Sequence, residues 1–140
     1  MKIILRNILA IIIGLFAGGS LNMLIIGIGP QIIPPPAGVD MTQTQSLSES
    51  WQLLGPQHFI FPFLAHALGT LAGAGLSILI AGSYRRTFAY TIGAFFLLGG
   101  IAAVFMIKAP WWFIVLDLGL AYIPMAWLAT RLLPQKTAES

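Results

Sequence analysis

Inside the long apolar stretches of this sequence, one imidazole and one carboxylate stand out. His66 lies between Phe59 and Gly82, and Asp117 lies between Trp111 and Thr130. A third apolar stretch, Ile8 to Ile28, holds only Ser20 and Asn22 as strongly polar residues. A carboxylate among apolar neighbours is costly unless it finds a partner. An imidazole changes charge near neutral pH and is the natural partner for it. These residues can therefore supply a proton-sensitive pair, a polar pocket for a solute, or a hydrogen-bonded clamp between helices.

Other chemistries lack their parts. The chain has no cysteine, which removes disulfides, thiolate metal sites and thiol–disulfide exchange. The H-E-x-x-H spacing of zinc proteases is missing. His58 and His66 fall on one helix about two turns apart, so they cannot face each other across a haem. Ser20 and Ser77 have no base except His66, and Ser77 lies about three turns from it. The fifteen glycines include no Gly-rich segment after a strand, which argues against a phosphate loop. No catalytic apparatus, metal or cofactor is expected.

Elements that could hold Asp117 and His66 follow from composition. Hydrophobic residues make up 58% of the 140, charged residues 8%, and mean hydropathy is +0.90. An ordinary soluble domain carries about 25% charged residues. That contrast excludes a soluble globular domain, a disordered chain and a nucleic-acid binder. The pI near 9.7 comes from seven dispersed Lys and Arg residues, which topology explains better than an anionic partner.

A helix needs about 20 mostly apolar residues to cross a bilayer. Four stretches qualify: Ile8 to Ile28, Phe59 to Gly82, Phe88 to Ile107, and Trp111 to Thr130. Backbone groups in lipid must be satisfied within the segment, so the spans are helices. The expected fold is an all-α membrane protein, a bundle of four transmembrane helices in a single domain. The first apolar run continues past Ala17-Gly18-Gly19 to Ile28, longer than a signal peptide requires, so it is expected to remain as a span.

Charge then orients the bundle. Lys2, Arg6, Arg85, Arg86, Arg131 and Lys136 fall at one end, and Lys108 alone at the other. With both termini cytoplasmic this satisfies the positive-inside rule, and the inverted topology would violate it. The segment from Gly29 to Gln57 is then a long outer loop. Gly29-Pro30 and Pro34-Pro35-Pro36 should end the first helix and favour an extended exit, while Gly38 and Asp40 suggest a turn. Ser46 and Glu49 stand at capping-box spacing. Leu47, Trp51 and Leu54 share a helical face, so Leu47 to Leu54 reads as a short interfacial amphipathic helix with Trp51 at headgroup depth. It either covers the bundle end or acts as a lid over a site.

Small residues should govern helix packing in lipid. Ala10, Gly14, Gly18 and Asn22 recur every four residues on the first span, and Ala65, Gly69, Gly73, Ser77 and Ala81 do so on the second. These faces should meet each other or a second copy of the chain. Gly93 and Gly99-Gly100 offer room on the third span, as do Ala121 and Ala129 on the fourth. Pro62 and Pro124 should kink their spans. Phe59, Phe61, Phe63, Tyr84, Tyr90, Trp111, Trp112 and Tyr122 read mostly as markers of span ends and lipid contacts.

Helical rise places the polar residues at one level. Counting about 1.5 Å per residue, Asn22, His66 and Asp117 each sit roughly 10–12 Å below the outer end of their spans. Thr70 lies one turn deeper than His66. An Asp117–His66 contact supported by Asn22 is expected.

Three stretches, IIPPPAGVD, HFIFPFLAHALGT and LDLGLAYIPMAWL, resemble those of small four-span bacterial integral membrane proteins of about this length. The resemblance covers most of the chain, including His66 and Asp117. It implies the four-span form and carries no assigned activity; the expected location is a bacterial plasma (inner) membrane, with multiple passes. The chain departs from small multidrug transporters, which have shorter loops and a glutamate in the first span, and from small fluoride channels.

Two functions stay open on these grounds. One is an accessory, assembly or structural subunit that packs through its small-residue faces, with the bilayer and a second copy or a larger membrane complex as partners. The alternative is a small transporter or channel that uses Asn22, His66 and Asp117 for a proton or small solute.

Overall fold

A computed structural model describes residues 2–134; Lys136 lies outside the described residues. The order is α1 (Lys2–Ile32), α2 (Thr44–Ser50), α3 (Ile60–Ile80), α4 (Arg85–Met106), α5 (Trp111–Leu120) and α6 (Ile123–Leu132). Short 3₁₀ turns at Trp51–Leu53 and Pro56–Phe59 lead from α2 into α3. No strand occurs among the described residues. Four helical stretches are long and apolar enough to cross a membrane: Lys2–Ile32, Pro56–Ile80, Arg85–Met106 and Trp111–Leu132.

Two proline expectations need correction. Helix α1 does not stop at Gly29-Pro30 but continues to Ile32, with Ile33 N–H donating to the Gly29 carbonyl at 2.9 Å. Pro30 forfeits one N–H within the final turn, where carbonyls are already running out of donors. Pro62 falls in the first turn of α3 and not in the middle of a span. It is the third residue of that helix, next to the 3₁₀ turn Pro56–Phe59, where a proline ring is tolerated. Pro124 acts more strongly than a kink, because the fourth stretch is broken into α5 and α6 at Ala121–Tyr122. Pro124 sits in the first turn of α6, and Tyr122 takes φ −118° and ψ −80°.

Helix α3 is the hub, packing along α1 and against α4 and α6. The stripes on α1 and α3 meet each other backbone to backbone. A Cβ on Gly14 would lie 2.8 Å from the Gly73 carbonyl, and one on Gly18 would lie 2.6 Å from the Gly69 carbonyl. Only residues without a Cβ permit that approach. At the end bearing Arg6, the core of Ala74, Ile78, Ala89, Ile92, Ala126 and Ala129 is fully closed. Elsewhere the surface is apolar: Phe16 is 77% exposed and Phe105 87%. A water-soluble fold would bury such residues, whereas a hydrocarbon solvent suits them.

Polar side chains staple the Arg6 end. Arg6 Nε donates to the Ile80 carbonyl at 3.0 Å, supplying an acceptor that the end of α3 leaves open. Asn7 Oδ1 accepts from Gly82 N–H at 3.0 Å and Ser83 N–H at 3.3 Å, and its Nδ2 donates to Ser83 Oγ at 2.9 Å. The tight α3–α4 turn, with Tyr84 at φ 47°, is thereby tied to α1.

The loop at the other end also departs from expectation. Ser46 is not a helix cap. It lies inside α2, and its Oγ accepts from Asp40 N–H at 2.8 Å, while Glu49 accepts from Gln45 Nε2 at 2.9 Å. Helix α2 begins earlier, at Thr44, and ends before Trp51, which opens the 3₁₀ turn and is half-buried. Gly38 takes φ +83°, a left-handed turn suited to glycine. Gly55 N–H donates to His58 Nδ1 at 2.9 Å, so the ring's hydrogen is on Nε2, which donates to the Pro34 carbonyl at 3.1 Å. Ser48 Oγ donates to the Met106 carbonyl at 2.9 Å, fastening the loop to the end of α4.

Candidate functional site

Helix α3 presents His66 toward α5, and α5 presents Asp117 toward α3. His66 Nδ1 lies 2.8 Å from Asp117 Oδ1 and 2.9 Å from Oδ2. Asp117 Oδ2 also accepts from the Tyr122 hydroxyl at 3.1 Å. A carboxylate that faces two donors assigns the imidazole hydrogen to Nδ1. Nε2 is then the ring's remaining polar atom. The Asp117 side chain is 8% exposed and that of His66 24%, so the carboxylate is sealed and the imidazole is partly open.

Tyr122 was not legible as part of this site. Its expected place was a span end or a lipid contact, yet it is 3% exposed, and its ring lies 5.7 Å from the His66 ring in a stacked arrangement. The broken helix turns it inward. Gly100 of α4 makes the room: a Cβ there would stand 2.5 Å from the Tyr122 hydroxyl and 2.7 Å from Cζ. A tyrosine two residues before an intraspan proline, near an intraspan aspartate, was the available signal. Phe59 is likewise buried rather than lipid-facing, set edge-on to Trp112 at 5.5 Å and tilted against Phe113 at 4.8 Å.

Asn22 does not support the acid–base pair, and neither its Oδ1 nor Thr70 Oγ1, one turn deeper than His66, hydrogen-bonds to it. Asn22 Oδ1 and Thr70 Oγ1 are buried, and no protein group reaches either within hydrogen-bond range. Thr70 is 1% exposed. Two other buried hydroxyls satisfy themselves on their own helices: Ser77 Oγ donates to the Ala74 carbonyl and Thr130 Oγ1 to the Trp127 carbonyl, each at 2.7 Å. Buried polar atoms without partners are rare and need an explanation. Both orphans border a cavity of about 250 Å³, together with His66, Phe96, Gly100 and Tyr122.

A second cavity of about 140 Å³ lies between His66 and the loop. Its deep end is formed by His66, Asp117 and Gly100, and its roof includes Met41, Leu47 and Leu54. Leu47 and Leu54, read as the apolar face of an interfacial helix, thus cover a chamber that ends on the acid–base pair. Trp51 does not line it. His66 and Gly100 border both cavities, so the imidazole stands between them.

No group of three or more His, Cys, Asp or Glu residues suited to a metal occurs among the described residues. The arrangement can hold an imidazole in one tautomer and orientation, and offer hydrogen bonds to something in the adjoining space. No protein-family model, curated protein or solved structure matches the chain.

Proposed function

We propose that the chain is a four-span protein of a bacterial plasma membrane that receives a proton or small solute at the Asp117–His66–Tyr122 cluster. Both termini are cytoplasmic and the α2 loop is outside, an orientation that rests on Lys2, Arg6, Arg85, Arg86 and Arg131 gathering opposite Lys108. One observation carries the functional reading. A buried carboxylate fixes His66 through Nδ1, and the same imidazole borders a cavity whose Asn22 and Thr70 oxygens have no protein partner. A clamp built only for stability would satisfy those atoms, because each unmet buried group costs about 1–3 kcal/mol. The half of the bundle beyond Thr70 is closed by Ala74, Ile78 and Ile92, so the arrangement fits a carrier and not an open channel.

Diethyl pyrocarbonate, which acylates accessible imidazole nitrogen, tests this reading on the intact protein in vesicles. Peptide mapping separates His66 from His58, the chain's other histidine. Acylation of His66 by reagent added outside is expected, with Asp117→Asn changing its rate by freeing the ring that Nδ1 holds in place. A His66 as inert in native vesicles as an apolar core residue would refute a receiving site.

A second reading, an accessory subunit assembling through helix faces, draws on a separate feature. A Cβ on Gly19 or Gly27 of α1 would meet nothing within 4 Å, so these glycines serve no packing inside the chain. Close approach of another transmembrane helix would use them. Leucine at Gly19 and Gly27 would then shift the protein from an oligomer or larger complex to a monomer in mild detergent, with its unfolding temperature preserved.

A further inference from the structure

The cavity beside Asn22 and Thr70 has an access route that the loop does not control. All its lining residues come from α1, α3 and α4, with Tyr122 from the α5–α6 break; no loop residue contributes. Helix α3 provides Gly69 and Thr70 as the floor, α1 provides Gly18 and Asn22 as one wall, and α4 provides Phe96 and Gly99 as the other. Helices α1 and α4 both pack on α3 and only lightly on each other. The open side therefore lies between α1 and α4, on the flank of the bundle. Gly99 is exposed there, and a Cβ on it would meet nothing within 4 Å. In a membrane that flank faces acyl chains.

The polar residues of the lining specify what could enter. Asn22 Oδ1 is an acceptor, and His66 Nε2 is an acceptor when Nδ1 carries the hydrogen for Asp117. Thr70 Oγ1 can donate or accept. A group that satisfies all three must donate to Asn22 and His66 and can donate to or accept from Thr70, which a hydroxyl-bearing head does and a bare carbonyl does not. No Lys, Arg, Asp or Glu lines this cavity, so nothing there balances a phosphate or an ammonium. Asp117 borders only the other cavity and is already shared between His66 and Tyr122.

We infer that this lateral cavity binds a single-chain amphiphile with an uncharged, polyhydroxyl head, entering from the bilayer between α1 and α4. The head hydrogen-bonds Asn22, Thr70 and His66, and the chain lies past Phe96 and Gly99 in contact with lipid. This inference rests on the reading of His66 as a receiving site and names the class of molecule received.

Thermal unfolding of the full chain in phosphatidylcholine nanodiscs tests it with three probes: 1-monooleoylglycerol, oleoyl-lysophosphatidylcholine and glycerol. Monooleoylglycerol should raise the unfolding temperature in a saturable way, since a ligand that binds only the folded state stabilises it. Lysophosphatidylcholine should not. Thr70→Val removes one hydrogen bond and should raise the apparent Kd about tenfold. Gly99→Phe, built into open space, should abolish the response without lowering the unliganded unfolding temperature. Equal stabilisation by both lipids, unchanged in Gly99→Phe, would overturn the inference. A response to glycerol alone that survives Gly99→Phe would overturn bilayer entry and keep His66 as a polar-solute site. Silence with all three probes would overturn the amphiphile, while a proton site at His66 would stand or fall on acylation alone.

Discussion

Tyr122 reaches Asp117, five residues earlier in the chain, only because the helix between them is broken: its hydroxyl donates to Oδ2 at 3.1 Å. In a continuous helix, at about 100° per residue, the two side chains would point about 140° apart. Pro124 prevents that continuity, since it lacks an N–H and its ring would collide with the Leu120 carbonyl. Tyr122→Phe should therefore lower stability by about 1.5–3 kcal/mol, the usual cost of losing a hydrogen bond to a charged group. Pro124→Ala should produce a similar loss by letting the helix close and carrying the ring away. The double variant should cost little more than either single one, because both remove the same contact. Chemical unfolding of the purified variants measures all three. Additive losses would mean that the break does not serve the tyrosine.

The adjacent glycines of α4 should respond in opposite directions. A Cβ on Gly100 would lie 2.5 Å from the Tyr122 hydroxyl, whereas one on Gly99 would meet nothing within 4 Å. Gly100→Ala forces the buried ring to shift and should cost about 1–3 kcal/mol. Gly99→Ala should be neutral or stabilise by up to about 1 kcal/mol, from the better helix propensity of alanine. Comparing the two unfolding curves controls for expression, detergent and position along the helix.

Most of the frame was readable because lipid imposes strict rules. Uninterrupted apolar length located the four helical stretches, and four-residue spacing of glycine and alanine located the α1–α3 contact. Depth counting brought His66 and Asp117 together, since helices in a bundle share one rise per residue. The misreadings share a cause too. Pro30, Pro62 and Pro124 look alike in sequence, yet their effects depend on whether they fall in a last turn, a first turn or the middle of a span. The general preference of tyrosine for interfaces puts Tyr122 at a span end, and a local backbone break overrides it. Depth alone predicts that Asn22 supports the Asp117–His66 contact, but depth fixes the level of a side chain and not the direction in which it points.

Acid should loosen the loop between α1 and α2 through Asp40. Its carboxylate accepts from the Thr42 hydroxyl at 2.6 Å, from Thr42 N–H at 2.8 Å and from Gln43 Nε2 at 2.9 Å. These bonds, the Thr42 hydroxyl foremost, hold its pKa below the ordinary 3.8. A depressed folded-state pKa contributes order that is fully present above the unfolded value and lost as pH falls through the folded one. The turn should therefore stay ordered at pH values above about 3.8 and open only below that. Limited proteolysis by pepsin, or the emission of a Trp51-only variant, should report the transition. Asp40→Asn should remove the pH dependence in this window.

The acid–base pair distinguishes a structural clamp from a site kept for function. His66→Leu leaves the Asp117 carboxylate with Tyr122 alone, and Asp117→Leu leaves the His66 Nδ1 hydrogen without its acceptor. Breaking a buried pair from one side costs about 3–5 kcal/mol, because the remaining group stays desolvated. Replacing both partners with leucine, and Tyr122 with phenylalanine, removes every orphaned group at once. Apolar replacement of a complete buried pair is often neutral or stabilising, so the triple variant should recover most of the stability lost by either single one. A recovered fold that no longer responds to monooleoylglycerol would mean that evolution could have built this bundle without charge. Stability that stays low in the triple variant would instead assign Asp117 and His66 to holding α3 and α5 in register.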